Sequence, residues 1–441
     1  MNFKRVIVLS SFLIAGVSIA EVGVVLPYTV IKKDGAVEIR NGGYGSSATI
    51  DPHNHKRFYA MTDRGPNAKY KGNRGKGKIF PIPAYTPRIG YFEITQEGKI
   101  SKIRDILLKD TRGNTITGLP NPSGLGGTGE IPYDTSGNVL LGKNGSMHLD
   151  RFGLDPEGLA VLNDGTFWVS DEYGPHMVHF DKNGREIGRI NPFVDDNRTT
   201  FHLPEEFANR RPNRGMEGLT ITPDQKTLVG IMQSTMYNPN KKVKNNTLTR
   251  IVTVDLQNGA TKQYLYKQEK NQNANSEITA IDNNTFLVIE RDGSFLHGGS
   301  KKANPEAQKH VYRIRLSTGT NLESIKETKD LKQDKNLGLT IQGKTLEEIV
   351  IQGGWRALAD RNIVPVKKEL VVDMAKEAGY PHDKMEGLIV FDDNTLGILN
   401  DDDFAVWSKK GKLIQKYIDA NRSVVDGNTL YVVHDLNLTG I

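Results

Sequence analysis

The sequence predicts an all-β protein: a six-bladed β-propeller whose ring closes by pairing amino-terminal strands with a carboxy-terminal hairpin. Three observations predict it. Glu-Gly-Leu recurs at residues 157–159, 217–219 and 386–388. Each copy opens a stretch of short alternating apolar runs around a turn rich in Asp, Asn, Gly or Pro, the signature of a β-hairpin. The two ends of the chain carry strand-like pairs that complement each other, as ring closure requires.

Four hairpins are close copies: "EGLAVLNDGTFWVSDE" (157–172), "EGLTITPDQKTLVGIMQ" (217–233), "EITAIDNNTFLVIER" (277–291) and "EGLIVFDDNTLGILND" (386–401). Looser copies are residues 46–64 and 421–435. A second pair of strand-like runs follows most of them, at residues 88–103, 177–190, 250–266, 310–325 and 404–418. Hairpin plus hairpin makes the four-stranded sheet of a propeller blade. The copy at 421–435 has no outer pair after it, whereas the pair at residues 24–40 has no hairpin before it. A tandem of β-sandwich domains also has many short strands and turns, but it explains neither the acid at each hairpin start nor the complementary ends. The stretches "TLEEIVIQGGWRALADRN" and "DMAKEAGY" read as helical decorations between blades.

Residues 1–20 have the form of a cleaved signal peptide, with Lys4 and Arg5 ahead of an apolar run and then Ser18-Ile19-Ala20. The run is shorter than the roughly 20 residues of a membrane span. The mature chain, 21–441, is expected as a monomer in the bacterial periplasm or medium, with no membrane span after cleavage. There is no cysteine, so export brings no disulfides. Loss of Lys4 and Arg5 lowers the formal charge from +6 to +4, too little and too scattered for a nucleic-acid partner.

Antiparallel pairing sets the start of a hairpin's first strand beside the end of its second. The glutamates and the polar pairs Thr62-Asp63, Asp171-Glu172, Met232-Gln233, Glu290-Arg291, Asn400-Asp401 and His434-Asp435 are therefore expected to crowd one mouth of the central channel. Converging carboxylates must be protonated, paired with cations or bound to metal. Arg64, Arg214, Arg291 and Lys384 lie nearby in sequence, and an oxygen-rich cluster suits Ca2+. A glutamate at a strand start can equally bond backbone amides and serve only the fold. No EF-hand loop, His-Glu-x-x-His motif or close His cluster is present, which disfavours zinc.

The ordered set "MTDRGPN" (61–67), "DPEGLA" with "WVSDEYGP" (155–175), "RRPNRGMEGLTITPD" (210–224), "FLVIERD" (286–292) and "KMEGLIVFDDNTLGILNDDD" (384–403) resembles the phytase-like domain of exported proteins described as having "esterase-like activity of phytase". The likeness spans nearly the whole mature chain. It implies a single propeller domain outside the cytoplasm and hydrolysis of an ester or phosphoester, a small anionic molecule. The matching positions are Asp63, Arg64, Glu157, Asp171, Glu172, Arg214, Glu217, Glu290, Arg291, Glu386 and Asp401.

On this basis Glu217, Glu157 and Glu386 are the expected catalytic carboxylates, and Arg64, Arg214 and Arg291 the expected substrate contacts. Asp63, Asp171, Glu172, Glu290 and Asp401 are the expected calcium ligands. A serine hydrolase is disfavoured, because neither Ser123 nor Ser146 sits in Gly-x-Ser-x-Gly, and "GLGGTG" lies in no βαβ unit. The loop with Lys69, Lys71, Arg74, Lys76 and Lys78 reads first as a solvated basic loop and second as a recruiter of anions. The alternative to a hydrolase is a non-catalytic propeller that binds a ligand or an envelope partner.

Overall fold

Alternating apolar residues generate five antiparallel sheets in the computed structural model, which describes residues 23–440. The expected leader lies outside the described residues. Blade 1 is Ser47–Asp51, Asn54–Met61, Arg88–Ile94 and Ile100–Leu107. Blade 2 is Pro156–Val161, Phe167–Asp171, His176–Phe180 and Glu186–Asn191, with Phe201–His202 added in parallel. Blade 3 is Met216–Ile221, Thr227–Met232, Leu248–Asp255 and Thr261–Lys267. Blade 4 is Ala274–Ala280, Thr285–Arg291, Lys309–Arg315 and Lys367–Asp373. Blade 5 is Gly387–Asp392, Thr395–Leu399, Thr429–Val433 and the amino-terminal Val24–Val25.

The first strand of each blade touches that of the next, and blade 5 returns to blade 1. A separate apolar cluster fills every junction. Met61 packs with Val169 between blades 1 and 2, Trp168 with Leu228 between 2 and 3, and Ile231 with Val288 between 3 and 4. Ile289 packs with Leu396 between 4 and 5, and Phe58 with Ile389 between 5 and 1. These faces drive the ring shut, since each sheet can bury its two sides only against its neighbours.

The ring therefore has five blades where the sequence predicts six. The stretch 421–435 supplies one strand, Thr429–Val433, and it is the third strand of blade 5. Pairing of the chain ends does occur, through Val24 opposite Leu430 and Val25 opposite Thr429. The runs at 404–418, expected as an outer pair, form a separate hairpin, Val406–Lys409 with Lys412–Gln415. Likewise 316–325 is not blade 4's outer strand. That strand comes from Lys367–Asp373 after an insertion carrying the helix Leu346–Ala359, whose Thr345 and Glu348 form a capping box.

Candidate functional site

Strand register decides which acids meet. In blades 2 and 3 the pairing slips between Pro156 and Gly158 and between Met216 and Gly218, so Glu157 and Glu217 are bulged residues that leave the ladder. Glu386 precedes Gly387 at the matching place in blade 5. The glycines are needed for close approach. A Cβ on Gly218 would lie 2.5 Å from the Ile278 nitrogen of blade 4, and one on Gly158 would strike the Leu219 nitrogen of blade 3. In blade 4 the slip falls between Asn275 and Glu277. Ser276 is thus the counterpart of Glu217, and Glu277 takes the glycine's place. Glu277 accepts bonds from the Ser47 hydroxyl of blade 1 and, at 3.0 Å, from its neighbour Ile278 N–H.

The same register sorts the polar pairs at the second-strand ends. In the pairs at 62, 171, 232 and 290 alternation turns the second member to the mouth and the first into the blade. Asp63, Glu172, Gln233 and Arg291 accordingly line one cavity of about 350 Å³, together with Glu157, Glu217 and Glu386. Thr62, Asp171, Met232, Glu290 and Asn400 do not line it. Asp171 accepts from Asp155 N–H and Gly174 N–H, both at 2.7 Å, and shapes the turn after its strand. Glu290 accepts from the Tyr266 hydroxyl (2.9 Å), Glu269 N–H (2.7 Å) and Asn273 Nδ2 (2.7 Å), and pairs with Lys368 (2.8 Å). Both expected calcium ligands are therefore held in place by structural partners. Asp401 is bound by Lys384 behind the wall.

Among the lining residues, seven acids face seven cations. Most of the cations are engaged. Arg64 contacts Asp155, lies 3.1 Å from Glu130 and 3.5 Å from Glu172, and donates to Asn213. Arg291 pairs with Glu386 and donates to Ser276 Oγ at 2.9 Å. Lys384 pairs with Asp401 and Asp403. Arg214 and the exposed Lys69 are the exceptions: neither side chain makes a hydrogen bond or ion pair among the described residues, and the buried Nη1 of Arg214 has no partner. Burial, then neighbouring Arg211, pulls its pKa down.

The carboxylates show the complementary deficit. Glu217 Oε2 and Glu386 Oε2 are buried without a donor. Burial and then Glu217 push Glu157 well above the usual carboxylate range. Burial and then Glu172 and Glu386 do the same to Glu217. Burial and then Asp155 raise Glu172 to about 8 and Asp63 to about 7.

A buried triad, Asp155, Glu157 and Glu172, brings one carboxylate oxygen of each within 4.8 Å of the others and could hold a metal ion. Asp155, which the sequence motif contains but which is not among the expected ligands, is fully buried, with the Arg64 guanidinium against its Oδ2. Arg64 shares both Asp155 and Glu172. Glu217, whose charge acts on Glu157, lies beside this triad with a donor-free oxygen, while Glu386 is paired with Arg291.

Loops complete the wall. The basic stretch forms a hairpin, Ala68–Gly72 with Gly75–Ile79, that packs on the hairpin Val406–Gln415 and brings Lys69 and Lys78 to the cavity. Lys78 is buried, bonds Asn67 Oδ1 at 2.8 Å, and is lowered to about 8 by burial and Arg64.

Five sheets around a charge-lined mouth define a propeller with its site at the ends of its inner strands. The chain belongs to the Phytase-like family, described as "Esterase-like activity of phytase", whose model matches residues 39–404. It is also 26% identical over 364 residues, 67% of each chain, to an uncharacterized secreted protein of Arthroderma benhamiae. Among solved structures it is similar to virginiamycin B lyase from Staphylococcus aureus (11% identity, 86% of this chain and 96% of that one, TM-score 0.29). Others are a gluconolactonase from Xanthomonas campestris (14%, 64% and 86%, 0.25) and a PQQ-bound aldose sugar dehydrogenase from Streptomyces coelicolor (9%, 92% and 98%, 0.30). At these scores the structural neighbours carry no argument about activity. No helix among the described residues is long and apolar enough to cross a membrane.

Proposed function

We propose that this protein is an exported hydrolase of phosphoesters or other small anionic esters, working as a monomer in the periplasm or medium. Membership of a family described by esterase-like activity supports the reaction class. The signal-like leader and a relative described as secreted support the location. The observation that carries the proposal is the unpaired Arg214 guanidinium, which shares one cavity with the donor-free carboxylate oxygens of Glu217 and Glu386. A cation without a protein partner is matched to an anionic group of the substrate, and a carboxylate without a donor is matched to a proton or a cation.

In this scheme Arg214 holds the anionic group, while Arg64 and Arg291 set the potential around it and keep Glu172 and Glu386 in place. Glu217, flanked by Glu157, takes the proton of the attacking water, a task for which burial and the charges of Glu172 and Glu386 raise its proton affinity. Ca2+ would be held by Asp155, Glu157 and Glu172, with the charge of Glu217 beside it, and the chemistry it would supply there is polarisation of the ester oxygen and acidification of a bound water.

The test is turnover by the mature protein on a panel of phosphomonoesters, phosphodiesters and carboxylic esters, with calcium and with chelator. Glu217→Gln and Arg214→Ala are expected to lower kcat/KM by at least about a hundredfold. Absence of turnover on every member, with both variants indistinguishable from wild type in ligand binding, would leave a structural cavity and refute the hydrolase. Loss of ligand binding in Arg214→Ala without any turnover would identify a binding propeller. Turnover that persists in chelator would remove calcium and leave the carboxylates.

A further inference from the structure

The hairpin Val406–Gln415 has a position that suggests what else the cavity holds. It leaves blade 5, pairs only within itself, and lies across the mouth beside the basic hairpin. From it Val406 and Trp407 enter a wall whose other side chains, Gly293 aside, are all charged, amide or hydroxyl. A half-buried indole in such a wall costs apolar hydration that solvent alone does not repay. Nor is the ring loosely placed. Phe295, fully buried, meets it with ring centroids 5.9 Å apart, and the buried Lys416 ammonium lies 5.8 Å from its centroid. Lys416 is fixed in turn by Asp383 at 2.9 Å, Asp403 at 2.7 Å and Asp426 at 3.1 Å. The exposed Lys301 carries its ammonium 5.3 Å from the same ring and is tethered only to the Gly293 carbonyl, at 2.9 Å.

From this geometry we propose that Trp407 is the platform for the leaving group's ring, so that the substrate is an anionic ester of an alcohol bearing a planar, apolar-faced ring. The inference rests on the hydrolase proposal and narrows its substrate class. An amphipathic ligand of this kind answers both halves of the wall: the anionic group meets Arg214, and the ring lies against the indole, where stacking adds to simple burial. Lys301, exposed and held by one backbone oxygen, is the cation beside the stacked ring. Trp407 is a specificity residue in this scheme and takes no part in proton transfer.

Titration calorimetry with phenyl phosphate, ethyl phosphate and inorganic phosphate tests it without requiring turnover. Wild type is expected to bind phenyl phosphate about tenfold more tightly than ethyl phosphate, which has the same charge but no ring. Trp407→Leu should abolish that margin while leaving the Kd for inorganic phosphate within about twofold. Trp407→Phe should keep most of it. A margin that survives in Trp407→Leu, or one absent from wild type, overturns the inference while phosphate binding preserves the anion site. Failure of wild type to bind any of the three overturns the inference, whereas the hydrolase proposal falls only if the ester panel also shows no turnover. Circular dichroism melts of the two variants establish that folding is intact, and if Leu is not tolerated Trp407→Phe against Trp407→Tyr with the same ligands decides, since both keep a ring and must both keep the margin.

Discussion

Replacing Glu217 with glutamine should stabilise the metal-free protein and blunt its response to calcium. In the fold this carboxylate is 2% exposed, its Oε2 meets no donor, and Glu172 and Glu386 oppose its charge. A buried polar atom without a partner costs about 1–3 kcal/mol. Because burial and these neighbours raise its pKa in the folded state, the fold favours the protonated acid. That contribution is fully present below the unfolded value of about 4.3 and is lost as pH rises through the folded value. Glutamine has no proton to lose, so the variant's advantage must grow with pH. For a chain of this size a gain of about 1–3 kcal/mol corresponds to roughly 1–3 °C in Tm. Thermal melts in chelator at pH 5 and pH 8 should show the larger gain at pH 8. Adding millimolar calcium should then raise the wild-type Tm more than the variant's, because only the wild type puts the negative charge of Glu217 beside the ion. A variant that melts below wild type in chelator at pH 8 would mean that a fold partner holds Glu217 ionised, and the reasoning would fail. An equal calcium gain in both would mean that the charge of Glu217 does not act on the cation.

Glu277→Ala should act oppositely: it strips acceptors from Ser47 Oγ and Ile278 N–H, so chemical denaturation should show a loss of about 2–4 kcal/mol with phosphate binding unchanged in the folded fraction. Gly218→Ala should lower the soluble yield and cost about 1–3 kcal/mol or more in the same assay, since its Cβ would lie 2.5 Å from the Ile278 nitrogen and 2.7 Å from the Glu277 carbonyl carbon. Away from the mouth, Glu347→Ala should cost about 3–5 kcal/mol, because it leaves the fully buried Arg250 without the carboxylate that lies 2.9 Å from its Nη2. A Tm unchanged within error in any of the three would contradict the corresponding contact.

Blade structure was legible because apolar alternation and turn chemistry are local. The hairpins beginning at 157, 217, 277 and 386 and the outer pairs at 88, 177 and 250 are all present as sheets. Blade number was less legible, because it depends on where a strand pairs, and pairing partners leave little mark on composition. "SVVDGNTLYVVHD" has the look of a hairpin, yet Asp426 in its middle is drawn into a buried set with His382 (2.7 Å) and Lys416 (3.1 Å), so the chain before it cannot run as a strand. With its first half spent as loop, the remaining strand adds to the hairpin at 387–399, and the amino terminus supplies the fourth. The fourth strand of blade 4 lies about fifty residues beyond the third strand it pairs with, a separation no periodicity reports.

The site shows the same division at the level of single residues. Sequence placed the acids at the correct end of each blade, and it could not place them on a face, because that turns on a one-residue slip. "SEI" at 276–278 and "EGL" at 217–219 align by their glutamates, whereas the bulge aligns Ser276 with Glu217. The consequence is chemical: Ser276 bonds Arg291 at the mouth, while Glu277 ties blade 4 to blade 1. Asp171 and Glu290 leave the mouth by the same parity, each one residue before a side chain that stays in it. What survives as functional is then set by pairing more than by charge. Lys384 stands near Glu386 as Arg214 stands near Glu217, yet Lys384 is consumed by Asp401 and Asp403. Arg214 follows Asn213, whose φ of +57° and whose side-chain bond to Arg64 hold the loop so that the next residue faces the cavity. An arginine held in this way without a protein partner pays a desolvation cost that only an anion from outside the chain can offset, and the three carboxylates beside it make that anion's ester, rather than the anion alone, the reasonable ligand.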